Sequence, residues 1–310
     1  MSVATAGRLE STAAVWSLSW IAQKLQRSLL HVAVILLTLI WIIPTLGLLV
    51  SSFRPAVQII TTGWWSAFTL PFQFTLENYT TVLDPATSNM GTAIFNSFMV
   101  SIPSTVIPVT IAAFAAYAFA WMKFPARDWI FLAFVGLLAV PLQLTFVPVL
   151  SFFVAHGIVP DNLSSIGLPP WVGLWLAHSG YGLPFSTYLL ANFFRQLPSD
   201  LFESAEIDGA GTLTVFFRIV LPLSVPAIAS LVIFQFLWVW NDLLVALIYV
   251  GGAAEVAPLT VNLANLTNSL GQGYQLLTAA AFFSMIVPLA VFLSLQRYFV
   301  RGILAGSVKG

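Results

Sequence analysis

Long apolar runs alternate with short polar breaks along this chain. Six of the runs approach the ~20 residues that an α-helix needs to cross the hydrocarbon core of a bilayer. They cover residues 29–52, 93–121, 129–154, 171–194, 225–250 and 276–300. The pattern predicts an all-α membrane protein with six transmembrane helices. Prolines 103, 108, 141, 148, 184 and 288 fall inside the runs. A membrane helix tolerates them where neighbouring helices bond the carbonyls that proline leaves free.

The most polar internal break is 203–226, ESAEIDGAGTLTVFFRIVLPLSVP. It predicts two short helices set at an angle. Asp200 is placed to N-cap the first, with Glu203 three residues on and Pro198 just outside. Gly209 and Gly211 favour termination, because glycine enters the left-handed conformation that ends helices. Thr212 then caps the second helix, which Pro222 limits or bends. Two uses are open for such a knob: docking a soluble partner, or an ordinary loop whose acids only cap and solvate helix ends.

Composition narrows the class. Of the 310 residues, 59% are hydrophobic and 7% charged, against about 25% charged in soluble domains, and mean hydropathy is +0.95. A soluble enzyme is excluded. The absence of cysteine removes disulfides, thiolate metal sites and cysteine catalysis. His31, His156 and His178 lack metal-ligand spacing, so no metal site is predicted. Net charge is zero with no long basic run, which speaks against nucleic acid as a partner. Without a GxxxxGK[ST] loop the chain is not expected to bind ATP itself. No serine/histidine or paired-aspartate arrangement marks catalytic residues.

Charge also sets an expected orientation. With the N-terminus inside, Arg54 is the one outer residue among the 11 Lys and Arg, a strong positive-inside bias. Both termini and the 203–226 segment are then cytoplasmic. Residues 1–28 read as a cytoplasmic tail ahead of a 29–310 membrane domain. The 53–92 loop places Trp64, Trp65, Phe68, Phe72 and Phe74 at the outer interface. The polar loop 251–275 also lies on that side.

Polar groups inside spans are costly and therefore informative. The fifth run holds Gln235, Trp238, Asn241 and Asp242, and 235, 238 and 242 share one helical face by spacing. An indole, an amide and a carboxylate suit a polyhydroxylated ligand. The same groups also serve to knit helices together by interhelical hydrogen bonds. Gln143 in the third run, with His178 and Tyr181 in the fourth, are further pathway candidates. The scarcity of ionisable groups in the runs weakens a proton-coupled carrier.

The segment 203–222 resembles the Glu-Ala-Ala loop of permease subunits of bacterial ABC importers. Glu203, Ala205, Asp208, Gly209, Ala210, Ile219, Leu221 and Pro222 occupy that pattern, and Ser204 stands where alanine is commoner. NSFMVSIPST, AAYAFAWMKFPARD, WNDLLVALIY and LQRYFVRGILAGSVKG are similar to the carbohydrate branch, especially its maltose and α-glucoside members; Trp121-Met122 departs from a position where arginine is common. The resemblance covers about residues 30–310 and implies a type I importer permease fold with a cytoplasmic coupling loop at about 195–224. It further implies a second homologous permease, two ATP-binding subunits that hold ATP and Mg, an extracytoplasmic sugar-binding protein, and residence among the lipids of the bacterial cytoplasmic membrane. A secondary transporter or channel acting without ATPase partners is the alternative from another class.

Overall fold

The computed structural model describes residues 6–266 and 273–305, with side chains at 20, 23–266 and 273–296. Among the described residues the secondary structure is helical throughout, with no strand. The 251–275 loop falls partly outside them. The chain divides into two compact units, Met1–Thr75 and Leu76–Gly310.

In the first unit, α1 (Ala6–Ser52) is one helix of 47 residues, so much of the expected tail is helical and continuous with the first apolar run. Its described apolar stretch, Gln23–Ser52, is almost wholly exposed within the chain. Beyond it Arg54 is buried by its own loop. Its guanidinium donates to the carbonyl of Gln58 at 3.0 Å and of Thr62 at 3.3 Å, to Ser66 Oγ at 3.2 Å, and to the Thr62 hydroxyl. A buried cation is tolerable only with such acceptors.

The second unit is built on α2 (Met90–Trp121), α3 (Arg127–Leu137), α4 (Phe146–Ala155), α5 (Val172–Phe194), α6 (Ser199–Ile207), α7 (Thr212–Leu223), α8 (Val225–Trp240), α9 (Leu244–Tyr249), α10 (Leu259–Asn265) and α11 (Tyr274–Ala305). α2 makes its most extensive contact with α5, and α8 lies against α2, α5 and α11. The α2 positions Ser97, Ser101, Thr105, Pro108, Ala112 and Ala116 are buried, as are Ala177, Ser186, Thr187 and Ala191 of α5. Small residues at such spacing let two backbones approach closely, which is how helices gain packing energy in lipid.

The two prolines of α2 are resolved by its neighbours. Pro103 has no N–H to offer the carbonyl of Met99, and Trp175 of α5 donates its Nε1–H there instead at 2.8 Å. Pro108 similarly frees the carbonyl of Ser104, and Gln235 of α8 donates Nε2–H to it at 3.2 Å. Each proline thus exchanges an intrahelical bond for an interhelical one. At the Met90 end, Asn96 donates to the carbonyls of Glu255 and Ala257, both at 3.0 Å, and Trp171 to that of Val256 at 3.0 Å.

Three expected runs look different in the structure. The 129–154 run is not one helix: α3 ends before Pro141, and a 3₁₀ turn at Leu142–Thr145 precedes α4. Proline drives the residue before it out of the helical region. The 225–250 run breaks between α8 and α9 at residues 241–243. α5 has the length of a span but falls short of the apolarity that marks Gln23–Ser52, Met90–Trp121, Leu142–Ser165 and Tyr274–Gln296. Its buried face carries His178, Ser179, Ser186 and Thr187. α7 and α8 make a fifth apolar unit only if counted together across a 75° bend.

Candidate functional site

The 203–222 segment folds as a helix–turn–helix. α6 starts at Ser199 with Pro198 at the cap position and Asp200 in its first turn, and α7 starts at Thr212 with Gly211 at the cap, so neither Asp200 nor Thr212 takes the expected cap position. The helix ends through its glycine. Gly209 has φ +70°, its N–H reaches the Glu206 carbonyl at 3.0 Å, and the Ala210 N–H reaches that of Ala205 at 2.9 Å. This paired 5→2 and 6→1 bonding is the Schellman ending, which needs the left-handed residue that glycine supplies. Gly211 keeps negative φ and precedes α7.

α7 contains a π-helical turn, Phe216–Val220, just ahead of Pro222. Proline cannot donate to the carbonyl four residues back, and a widened turn accommodates the gap. The knob has two faces. Ala205, Val215, Phe216 and Val220 are buried in a core shared with the ends of α2 and α5, and Phe202, Ala210, Ile219 and Leu221 pack against it. Glu203, Ser204, Glu206, Asp208 and Pro222 are exposed, together with Ile207, 86% exposed, and Leu213.

A second locus lies between α5 and α8. Tyr181, Gly182, Phe185, Phe234, Gln235 and Trp238 line a cavity of about 320 Å³. Gln235 is held between Ser104 and Gly182, where a Cβ would come within 2.6 Å of Nε2. The Tyr181 hydroxyl accepts from Thr145 Oγ1 at 3.0 Å and lies 2.6 Å from the hydroxyl of Tyr249. Trp238 is 38% exposed and meets His178 edge-on at 5.5 Å between ring centroids. His178 is fully buried, 3.8 Å from Asp242, and among the described residues neither ring nitrogen has a hydrogen-bond partner. The cavity wall is aromatic with one carboxamide, a lining that suits a ligand with apolar faces and neutral hydroxyls.

The structure therefore brings Gln235, Trp238 and Tyr181 together and sets three other residues apart. Because α8 stops at Trp240, Asp242 does not continue its face; the carboxylate accepts from the Val245 and Ala246 N–H groups at 3.4 and 3.1 Å, at the start of α9. Asn241 is exposed and donates to its own helix at the Leu237 carbonyl, 2.7 Å away. Gln143 is exposed on the 3₁₀ turn after Pro141. Gly182, Phe185 and Phe234 were not singled out by sequence. Only Gly182 had a signal, as a small residue beside Tyr181 where another helix needs room.

The profile of a protein family described as the binding-protein-dependent transport system inner membrane component matches residues 94–305. This chain belongs to that family. The osmoprotective compounds uptake permease protein GgtD of Synechocystis sp. is 54% identical over 92% of this chain and 93% of its own length. The alpha-glucoside transport system permease protein AglG of Rhizobium meliloti is 38% identical over 90% of this chain and 96% of its own. A crystal structure of a bacterial ABC transporter importing the acidic polysaccharide alginate contains a chain that superposes with TM-score 0.69 at 18% identity, covering 88% of this chain and 97% of that one. At that identity the likeness speaks for the fold alone. The permease fold of ABC importers is thus the architecture of this inner membrane component, a transport subunit rather than an enzyme.

Proposed function

We propose that this chain is one permease subunit of an ATP-driven importer for a neutral glycoside: an α-glucoside, maltose-like oligosaccharide or glycosylated polyol. The support is its relatedness to permeases named for α-glucosides and for osmoprotective compounds, together with a cavity wall of aromatics and one carboxamide. In this reading six spans cross the bacterial cytoplasmic membrane with both termini inside, and a homologous permease forms the other half of the pathway. An extracytoplasmic binding protein delivers the sugar. Trp238 covers an apolar sugar face, and Gln235 and Tyr181 meet hydroxyls.

Residues 195–224 couple the pathway to ATP. Two ATPase subunits hold ATP and Mg, and one of them receives α6 in a cleft. The observation that carries this role is the division of the knob: Ala205 is buried against the bundle, while Glu203, Glu206, Ile207 and Asp208 point outward. An acidic surface with an apolar residue at its centre fits a cleft with basic walls and an apolar floor. Closure of the ATPase dimer then moves α6 as a rigid body and turns the spans.

The test is co-purification of ATPase subunits with this chain, followed by uptake in proteoliposomes supplied with the binding protein. A panel of α-glucosides, glycosylated polyols, chitobiose derivatives and arabinooligosaccharides would name the cargo. Uptake that proceeds without ATPase subunits would replace the proposal by a secondary carrier or channel.

A further inference from the structure

We infer that Trp121 is the joint through which movement of α6 enters the membrane bundle, a positioning residue lying outside the 203–222 pattern. This deepens the proposed coupling role and presupposes that α6 docks an ATPase. The Trp121 indole, in the last turn of α2, stacks on Phe202 of α6 with ring centroids 3.6 Å apart and planes 15° from parallel. Its Nε1–H donates to the carbonyl of Phe194 at the end of α5, 2.8 Å away. The hydrogen bond fixes the ring in its own plane, so that it offers Phe202 a flat and immobile face. One turn earlier on the same helix, the Tyr117 hydroxyl donates to the Thr212 carbonyl at 3.4 Å, at the start of α7. The end of α2 therefore holds both arms of the knob and the end of α5.

Behind α6 the chain joins α5 directly through residues 195–198; the covalent route onward from α6 to α8 is the more compliant one. It runs through the Gly209–Gly211 turn, the π-helical turn of α7 and the 75° bend before α8. Each of these absorbs displacement rather than passing it on. The route through Trp121 meets a helix unbroken from Met90 to Trp121, in which the bond lost at Pro108 is replaced by that from Gln235. About 25 Å along α2, at ~1.5 Å per residue, the Ser104 carbonyl holds Gln235 in the cavity wall. A shift of α6 against Trp121 is thereby felt where the cavity is shaped. The α6 side chain buried in that core is Ala205, a methyl group with little to resist tilting.

The experiment uses the cysteine-free chain with spin labels on cysteines introduced at the exposed positions Lys123 and Ser199, outside the acidic docking surface. Wild type, Trp121→Phe and Trp121→Leu are compared in nanodiscs, as the full chain and in complex with its partner subunits. Trp121→Leu is expected to broaden the α2–α6 distance distribution. In the assembled transporter it should raise the ATP hydrolysed per sugar taken up by about fivefold, the scale of a lost aromatic pair, with assembly unchanged. Trp121→Phe keeps a ring on Phe202 and is expected to stay within about twofold of wild type on the same scale. A merely structural tryptophan would lower uptake and hydrolysis together. A narrow distribution and wild-type ratio for Trp121→Leu overturn the joint, as does a ratio for Trp121→Phe as high as that for Trp121→Leu. If wild type binds no ATPase, the docking role of 203–222 falls. The distance distribution of the chain alone still decides the joint: an unchanged width in Trp121→Leu overturns it.

Discussion

The contact between Gln235 and the carbonyl freed by Pro108 makes a sharp energetic prediction. Gln235→Leu keeps roughly the same volume but removes the donor that reaches the Ser104 carbonyl, and Ser104 is fully buried. An orphaned buried carbonyl costs about 1–3 kcal/mol. Interhelical hydrogen bonds in membrane proteins average about 0.6 kcal/mol and reach about 1.7. With Ser104 and Gln235 both buried, the cost of Gln235→Leu is expected near the upper part of that range, about 1.5 kcal/mol. Pro108→Ala returns an N–H to α2 at the position from which an undisturbed helix would bond Ser104. In that background Gln235→Leu should cost less than about 0.5 kcal/mol, a coupling near 1 kcal/mol between residues on two helices. Reversible unfolding of the four variants in mixed micelles measures the cycle. Additivity within about 0.3 kcal/mol would mean that Gln235 does not stand in for the missing proline N–H, and the account of α2 given above would fail.

Four further outcomes follow from the same geometry. Trp175→Phe should cost about 1 kcal/mol of stability through the Met99 carbonyl, and little when combined with Pro103→Ala, in the same unfolding assay. The Cβ added by Gly209→Val meets nothing within 4 Å among the described residues, and the backbone there has φ +70°. Backbone strain, about 1–2 kcal/mol, therefore dominates its cost; the variant should cut ATP-driven uptake while leaving the chain inserted, with Gly209→Asn less affected. Trp238→Ala should raise the half-saturation concentration for sugar about five- to thirtyfold, the equivalent of 1–2 kcal/mol, at normal complex assembly. Asn241→Ala, whose amide is bonded to its own helix, should leave that concentration within about twofold, measured by uptake against sugar concentration.

Much of this organisation was legible in the chain. Apolar length located α2, α5, α8 and α11, and the residue types around Gly209 announced a turn between two short helices. Gln235, Trp238 and Tyr181 stood out because polar and aromatic groups in an apolar run need a reason. What stayed hidden depended on where helices end. The spacing of 235, 238 and 242 implies a shared face only if the helix continues, and α8 stops at Trp240, which turns Asp242 toward the start of α9. The break at Pro141 likewise moved Gln143 onto an exposed turn. The sequence marks prolines 103 and 108 as tolerable, but only the packed helices reveal which side chains answer them. Trp121 carried no sequence signal beyond its departure from a common arginine, because its partners lie on two other helices far along the chain.

The modest apolarity of α5 has a consequence for how the protein is made. A segment bearing His178, Ser186 and Thr187 on one side is a poor substrate for direct partitioning from the translocon into lipid. Its natural receiver is α2, which is synthesised earlier and offers a seam of small residues and a free carbonyl for Trp175. In the proposed six-span arrangement, entry of α5 into the bilayer is then a docking event, and the nascent chain must keep α2 within reach until α5 has emerged. Substitutions that enlarge the α2 seam would accordingly surface first as failed biogenesis, with α5 left outside the membrane and the unfinished chain handed to quality-control proteases.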